Sequence, residues 1–325
     1  MIGELYSPPE AQNWKGRSDG KNAMRWHEVI SLLDLRQQGS VSGRGFALLG
    51  FACDEGIRRN YGREGAKEGP TAIRRALASL PWHGSKALYD AGDIVCHRGE
   101  LEEAQQALAH AVQIIIDRGL HPMLLGGGHE IAWGHYQGLQ QAFQKQNIAI
   151  INFDAHFDMR PLLEGDRGSS GTSFLQMYNY CQKEKLKFDY TCLGIQPGSN
   201  TTALFEIARE AKVKVIEAEE FFVKEAEIGL EVAKEVVKHH DRIYLTICLD
   251  VFAAPFAPGV SAPQPLGIFP WHVIPALRYL AASGKVVGFD VAELSPPLDN
   301  DERTAKLAAQ LIAEYCCSGS KGVND

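Results

Sequence analysis

The chain has 325 residues, 45% hydrophobic and 22% charged, with seven cysteines and a formal net charge of −7. At roughly 100–200 residues per domain, that length holds one large α/β domain or two modest ones. The apolar content excludes disorder, and the 32 glycines follow no collagen-like period. An acidic chain without a block of one sign argues against nucleic acid or an anionic membrane as partner. Cys53, Cys96, Cys181, Cys192, Cys248, Cys316 and Cys317 form no C-x-x-C pair, so reduced thiols are expected. The start of the chain has no signal-peptide pattern, and no apolar run approaches the ~20 residues that span a bilayer. A cytoplasmic protein is expected.

Short apolar runs alternate with helix-period segments from Phe46 onward. In chain order the pattern predicts strand 46–51, helix 71–80, strand 87–89, helix 101–118, strand 122–125, helix 131–144 and strand 148–153. Strand 190–194, helix 203–211, strand 213–216, helix 230–239, strand 243–249, helix 271–282, strand 285–291 and helix 304–316 follow. In helix 101–118, Leu101, Ala104, Leu108, Val112 and Ile115 share a face, and Gly119 suits its C-terminal stop. Strands as apolar as Ile148–Ala149–Ile150–Ile151 fit a parallel sheet covered on both faces. The expectation is an α/β chain: one three-layer domain over 41–325, with a mostly parallel eight-stranded sheet, and a loose polar, Gly-rich arm over 1–40.

Ligands of such sheets gather beyond the carboxyl ends of the strands. Three of these ends carry metal-ligand chemistry. Asp154, His156 and Asp158 alternate after strand 148–153, so an extended segment would aim all three to one side. Their mixed O/N donors suit Mn²⁺, Fe²⁺ or Zn²⁺ rather than Ca²⁺. Gly126–Gly127–Gly128–His129–Glu130 follows strand 122–125, lacks the spacing of a phosphate-binding loop, and ends in a potential ligand, His129. Cys248 and Asp250 close strand 243–249 ahead of an uncharged, Pro-rich loop, 253–263, of the kind that walls a pocket. Taken singly, Cys248 reads equally as a buried small hydrophobe. Convergence of the three ends on one or two metal ions would support metal-assisted hydrolysis.

From Gly45 to Cys316 the sequence resembles the ureohydrolase superfamily of arginases, agmatinases and formimidoylglutamases. Gly62–Arg63, Gly65–Ala66 and Gly69–Arg74 resemble its opening segment, Gly126–Glu130 its first metal motif, and Asp154–Ala155–His156–Phe157–Asp158 its D-A-H-x-D hallmark. The resemblance implies an arginase-like fold and two Mn²⁺ ions. Asp154 would bridge them, with His129, His156, Asp158 and Asp250 as further ligands. Glu293, in Glu293–Leu294–Ser295–Pro296–Pro297, would hold the substrate's amidinium or guanidinium, and Asp158 would pass the proton to the leaving amine. It also implies a homo-oligomer, a trimer or hexamer.

Three departures sharpen this picture. Cys248 stands where the family has a metal-bridging aspartate, which leaves one metal, or Zn²⁺ or Fe²⁺, as alternatives to two Mn²⁺. Ser170 replaces an active-site histidine. Arg160 replaces an asparagine of arginases and offers a bidentate clamp for carboxylate, with Arg58, Arg59 and Arg63 as further candidates. N-formimidoyl-L-glutamate has two carboxylates, so the favoured reaction is its hydrolysis to L-glutamate and formamide, a step of histidine degradation. Another amidino or guanidino substrate and a non-catalytic metal-binding homologue are the alternatives.

Overall fold

The computed structural model describes residues 2–20, 24–37, 41, 44–97 and 99–320. Parts of the expected arm (1, 21–23 and 38–40) and of the expected domain (42–43, 98 and 321–325) lie outside the described residues.

All eight expected strands form: β3 (Gly45–Ala52), β4 (Ala87–Val95), β5 (Leu120–Leu125), β6 (Ala149–Phe153), β7 (Tyr190–Ile195), β8 (Lys214–Glu217), β9 (Ile243–Cys248) and β10 (Val286–Ala292). Two more, β1 (Tyr6–Ser7) and β2 (Ile30–Leu32), bring the sheet to ten strands among the described residues. Its order is β1-β4-β3-β5-β10-β9-β6-β7-β8, with β2 also on β4. Every pairing is parallel except β1 with β4.

Alternation along the strands divides the core in two. Phe46, Leu48, Met123, Leu125, Ile151, Leu245, Ile247 and Phe289 pack with the helices Gly69–Ala78, Ala226–His239, Pro270–Ala282 and Arg303–Gly319. Ala47, Leu49, Phe51, Leu124, Ile150 and Tyr244 pack with Leu101–Asp117, Ile131–Ala142, Ser173–Glu184 and Thr202–Glu210 on the other face. The predicted stripe of Leu101–Asp117 is buried, and Gly119 takes the positive φ (+74°) that lets the chain turn away from the helix.

The expectation of a loose arm is corrected. Its scattered aromatics anchor it: Tyr6 and Trp14 are buried, Trp26 is fully enclosed and meets Trp82 edge-on at 5.2 Å, and Trp14 Nε1 donates to Asp90 Oδ2 at 2.7 Å. Burying large aromatic surface outweighs the polar average of the segment.

The order places β5, β10, β9 and β6 side by side at the centre of the sheet. Their carboxyl ends are neighbours, and each end leads into a candidate residue.

Candidate metal centre

His129 leaves the turn between β5 and the helix Ile131–Ala142. Gly126 and Gly127 make that turn possible: a Cβ on Gly127 would lie 2.0 Å from the Cys53 carbonyl oxygen, and one on Gly126 would lie 2.6 Å from that of Val291. The glycines therefore admit the protein's own backbone, not a phosphate. His129 Nδ1 lies 2.9 Å from Asp154 Oδ2 and 3.0 Å from Asp158 Oδ2.

The Asp154–Asp158 segment is not extended, which corrects the expected route to convergence. β6 stops at Phe153, the chain turns, and Asp158 sits in the left-handed region at φ +48°. The three side chains still meet. Asp154 Oδ1 accepts the His156 N–H at 2.8 Å, and Asn152 Nδ2 donates to Asp154 Oδ2 at 3.1 Å. Asn200 ties the turn down, taking the Phe157 N–H at 3.1 Å and donating to the Ala155 carbonyl at 2.8 Å. Asn152 adjoins the motif, but nothing in sequence spacing marks Asn200, which reaches the turn from beyond β7.

Cys248 is the last residue of β9, and Asp250 follows in the short 3-10 turn Leu249–Val251. Asp250 Oδ2 lies 3.1 Å from His156 Nδ1. Two donor sets result, His129–Asp154–Cys248 and Asp154–His156–Asp250, each with its donor atoms within 4.8 Å of one another. Asp154 belongs to both.

These residues suit divalent cations. Burial works against charge on His129, yet Asp154 and Asp158 raise its pKa well above the imidazole range. Burial and then Asp154 raise Asp158 to about 6. Burial, Asp154, Asp250 and Glu293 raise the Cys248 thiol well above its usual range. Carboxylates thus crowd the site with negative charge that a metal would neutralise. His129 Nδ1 approaches its carboxylates without hydrogen-bond geometry, and it and Asp250 Oδ1 are buried without a bonded partner.

Above the cluster opens a cavity of about 340 Å³, lined by His129, His156, Asp158, Arg160, Ser170, Cys248, Asp250 and Glu293 among others. Ser261 and Ala262 of the Pro-rich loop form part of its wall. Glu293 follows β10 at φ +73° and is buried; Oε1 accepts the His129 N–H at 2.8 Å. Burial, Asp250 and Glu130 push its pKa well above the carboxylate range. Arg160 donates its backbone N–H to the Gly171 carbonyl, and among the described residues its guanidinium has no hydrogen-bond or ion-pair partner.

The other arginine candidates separate. Arg58 pairs with Glu55, and Arg59 with Glu55 and Glu102, away from the cavity lining. Arg63 lines the cavity but donates to the Val260 and Ser261 carbonyls. Ser170 lines it too and accepts from Asn60 Nδ2 at 3.2 Å.

A sheet of this order, with ligands converging from its central strand ends, defines a metallohydrolase-type α/β architecture. The model of the Arginase family matches residues 44–317, and the chain belongs to that family. It is 46% identical over 309 residues to a formimidoylglutamase of Legionella pneumophila (strain Paris), covering 95% of this chain and 96% of the relative. To a formimidoylglutamase of Clostridium tetani it is 44% identical over 324 residues, covering 96% of each. Among solved structures, a Trypanosoma cruzi formiminoglutamase with Mn²⁺ aligns at a TM-score of 0.77 and 25% identity, over 86% of this chain and 94% of that one. The formimidoylglutamase of Bacillus subtilis aligns at 0.82 and 23%, over 95% of each, and shares the fold.

Proposed function

We propose that the chain hydrolyses N-formimidoyl-L-glutamate to L-glutamate and formamide. The observation that carries this reading is the shared cavity of two kinds of group. A cluster of ligands and Glu293 forms its floor, and the unpaired guanidinium of Arg160 stands in its wall.

His129, Asp154, Cys248, His156, Asp250 and Asp158 would hold two divalent ions, with Mn²⁺ the favoured pair. Such ions supply Lewis acidity and a water acidified toward neutrality. Glu293 orients the substrate. With Oε1 held by the His129 N–H, Oε2 is free to accept a hydrogen bond from the amidinium. Arg160 binds a substrate carboxylate through two parallel N–H···O bonds and fixes the distance to the reacting carbon. Water oxygen adds to the formimidoyl carbon, and the carbon–nitrogen bond to glutamate then breaks. Asp158 takes the proton that water loses on addition and passes it to the departing amine. Ser170 stands at the rim as a hydroxyl and does not replace an imidazole in that transfer.

Product identity tests the reading. Formamide and L-glutamate in equal amounts support it, whereas urea from arginine or a guanidino acid would assign a sister activity. A chain that takes up Mn²⁺ and turns over none of these substrates would be the non-catalytic homologue.

Among the described residues, no helix is long and apolar enough to cross a membrane. We infer a cytoplasmic protein, a reading supported by the buried thiols Cys53, Cys181, Cys192, Cys248 and Cys316, which form no disulfide. We infer a homo-oligomer, supported by an exposed apolar patch in which Phe269 lies 5.3 Å from Phe222 and 5.4 Å from Phe256.

A further inference from the structure

The cavity above the donor cluster holds one hydroxyl that the proposed reaction leaves idle. Ser170 is only 7% exposed, yet it lines that cavity together with Asn60 and Arg160. Its Oγ accepts from Asn60 Nδ2 at 3.2 Å. An amide nitrogen can only donate, so the Ser170 proton is left over. Among the described residues no group accepts it, and it can be satisfied only from the cavity.

The fold sets this hydroxyl beside the unpaired guanidinium. The loop between Asp158 and Phe174 is closed twice: the Arg160 N–H donates to the Gly171 carbonyl at 2.8 Å, and the Phe174 N–H to the Asp158 carbonyl at 3.0 Å. Gly171 then supplies the room. A Cβ there would lie 2.8 Å from Arg160 Cδ, 3.3 Å from its Nε and 3.1 Å from Asn60 Nδ2, so arginine and amide border one small space. Both sides are fixed. Thr172 Oγ1 takes the Ser169 N–H at 2.8 Å, and the Gly56 and Ile57 carbonyls take the Asn60 N–H at 3.0 and 3.1 Å. The acids Asp158, Asp250 and Glu293 line the same cavity but turn to His129 and His156. What remains beside Arg160 is a cation and a hydroxyl donor with no acceptor. A carboxylate has about four lone-pair positions; a bidentate guanidinium occupies two and leaves the others to a hydroxyl.

We propose that Ser170 donates its hydroxyl to the substrate carboxylate that Arg160 clamps, and that Asn60 orients the hydroxyl for that task. Ser170 binds substrate directly, and Asn60 is a positioning residue acting through it. The inference rests on the reading in which Arg160 holds a carboxylate. It gives the serine a part in selecting acidic amidines over uncharged ones.

The test is steady-state kinetics of the Mn²⁺-loaded chain on three substrates. These are N-formimidoyl-L-glutamate, N-formimidoyl-γ-aminobutyrate, which lacks the α-carboxylate, and N-formimidoyl-L-norvaline, which lacks the side-chain carboxylate. Ser170→Ala should lower kcat/KM for the full substrate about 10–100-fold, through KM and with kcat within a few-fold. On the analogue that has lost the seated carboxylate, the same substitution should change kcat/KM by a factor of about one, which identifies the group held. Asn60→Asp, whose carboxylate can only accept, should draw the Ser170 proton away and cost at least as much on the full substrate. That variant stands in if Ser170→Ala does not fold. A fall in kcat at unchanged KM would make Ser170 a proton carrier, and an equal factor on all three substrates would make it structural. Either result overturns the inference, as does a wild-type KM in folded Ser170→Ala, or in folded Asn60→Asp where that variant stands in. A wild-type chain that releases no L-glutamate overturns the proposed function itself, and the seat with it.

Discussion

Cys248 joins the set formed with His129 and Asp154, where its Sγ lies within 4.8 Å of a donor atom of each. If it ligates as a thiolate, metal should help remove its proton, because burial and four carboxylates disfavour the anion without one. Cys248→Ser is expected to reduce bound metal from two ions to about one per chain, read by elemental analysis, because a hydroxyl is a poor substitute for a thiolate. Unchanged stoichiometry would show that the thiol is a bystander. Arg160 makes a different prediction. Losing a charged hydrogen-bonding partner of substrate is worth roughly 1.5–3 kcal/mol, so Arg160→Met should raise KM about 10–100-fold. kcat should stay within a few-fold, because the carboxylate is held alike before and during the reaction. A fall in kcat at unchanged KM would contradict the anchor. Both residues were legible in the sequence because they stand where motif positions are fixed. Asn200 was not: it is a single polar residue whose role depends on which strand end lies next to it.

The eight strands from β3 to β10 were readable because two-sided burial makes them continuous apolar runs. β1 and β2 were not, since segments of two or three residues carry no period and are held by aromatics elsewhere in the arm. The helix Ser173–Glu184 buries Phe174, Met177 and Cys181, a helical spacing masked by the polar run before it. The turn after β6 was misread as extended because alternation of polar residues is ambiguous where a residue such as Asp158 adopts positive φ. At the opposite end of the sheet, His121 on β5 gives a pH prediction. Its ring stacks on Tyr315 at 5.6 Å, with Nε2 3.0 Å from the tyrosine oxygen. Although the residue reaches the surface at one edge, burial of the imidazole lowers its pKa to about 3. The unfolded chain takes up a proton near 6.5 that the folded chain refuses until about 3. Stability from this residue is therefore complete above 6.5 and is lost as pH falls through that window. His121→Gln should flatten the pH dependence of urea unfolding between about 6.5 and 4 relative to wild type. Parallel profiles would refute the assignment.

The exposed patch lets assembly be tested without touching the cavity. Leu266 and Trp271, close in sequence to Phe256 and Phe269, are 75% and 74% exposed, unusual for such large apolar side chains without a partner surface. Light scattering is expected to give a multiple of 35.8 kDa, and the double variant Leu266→Glu/Trp271→Glu should shift the mass toward that of one chain. A wild-type monomer would remove this role from the patch.

The three strand ends that supply the donor sets are separated by long stretches of sequence, from the end of β5 to the end of β9. No fragment short of the assembled central sheet can present both donor sets, so metal uptake reports on completion of the fold rather than on any local segment. Bound metal would then act as a late clasp. At 100 times Kd, a ligand that binds only the native state adds about 2.7 kcal/mol. That gain arrives where like charges otherwise push the strand ends apart. A cell that limits its divalent metal would therefore lower the lifetime of this chain together with its activity, and the two losses would track each other.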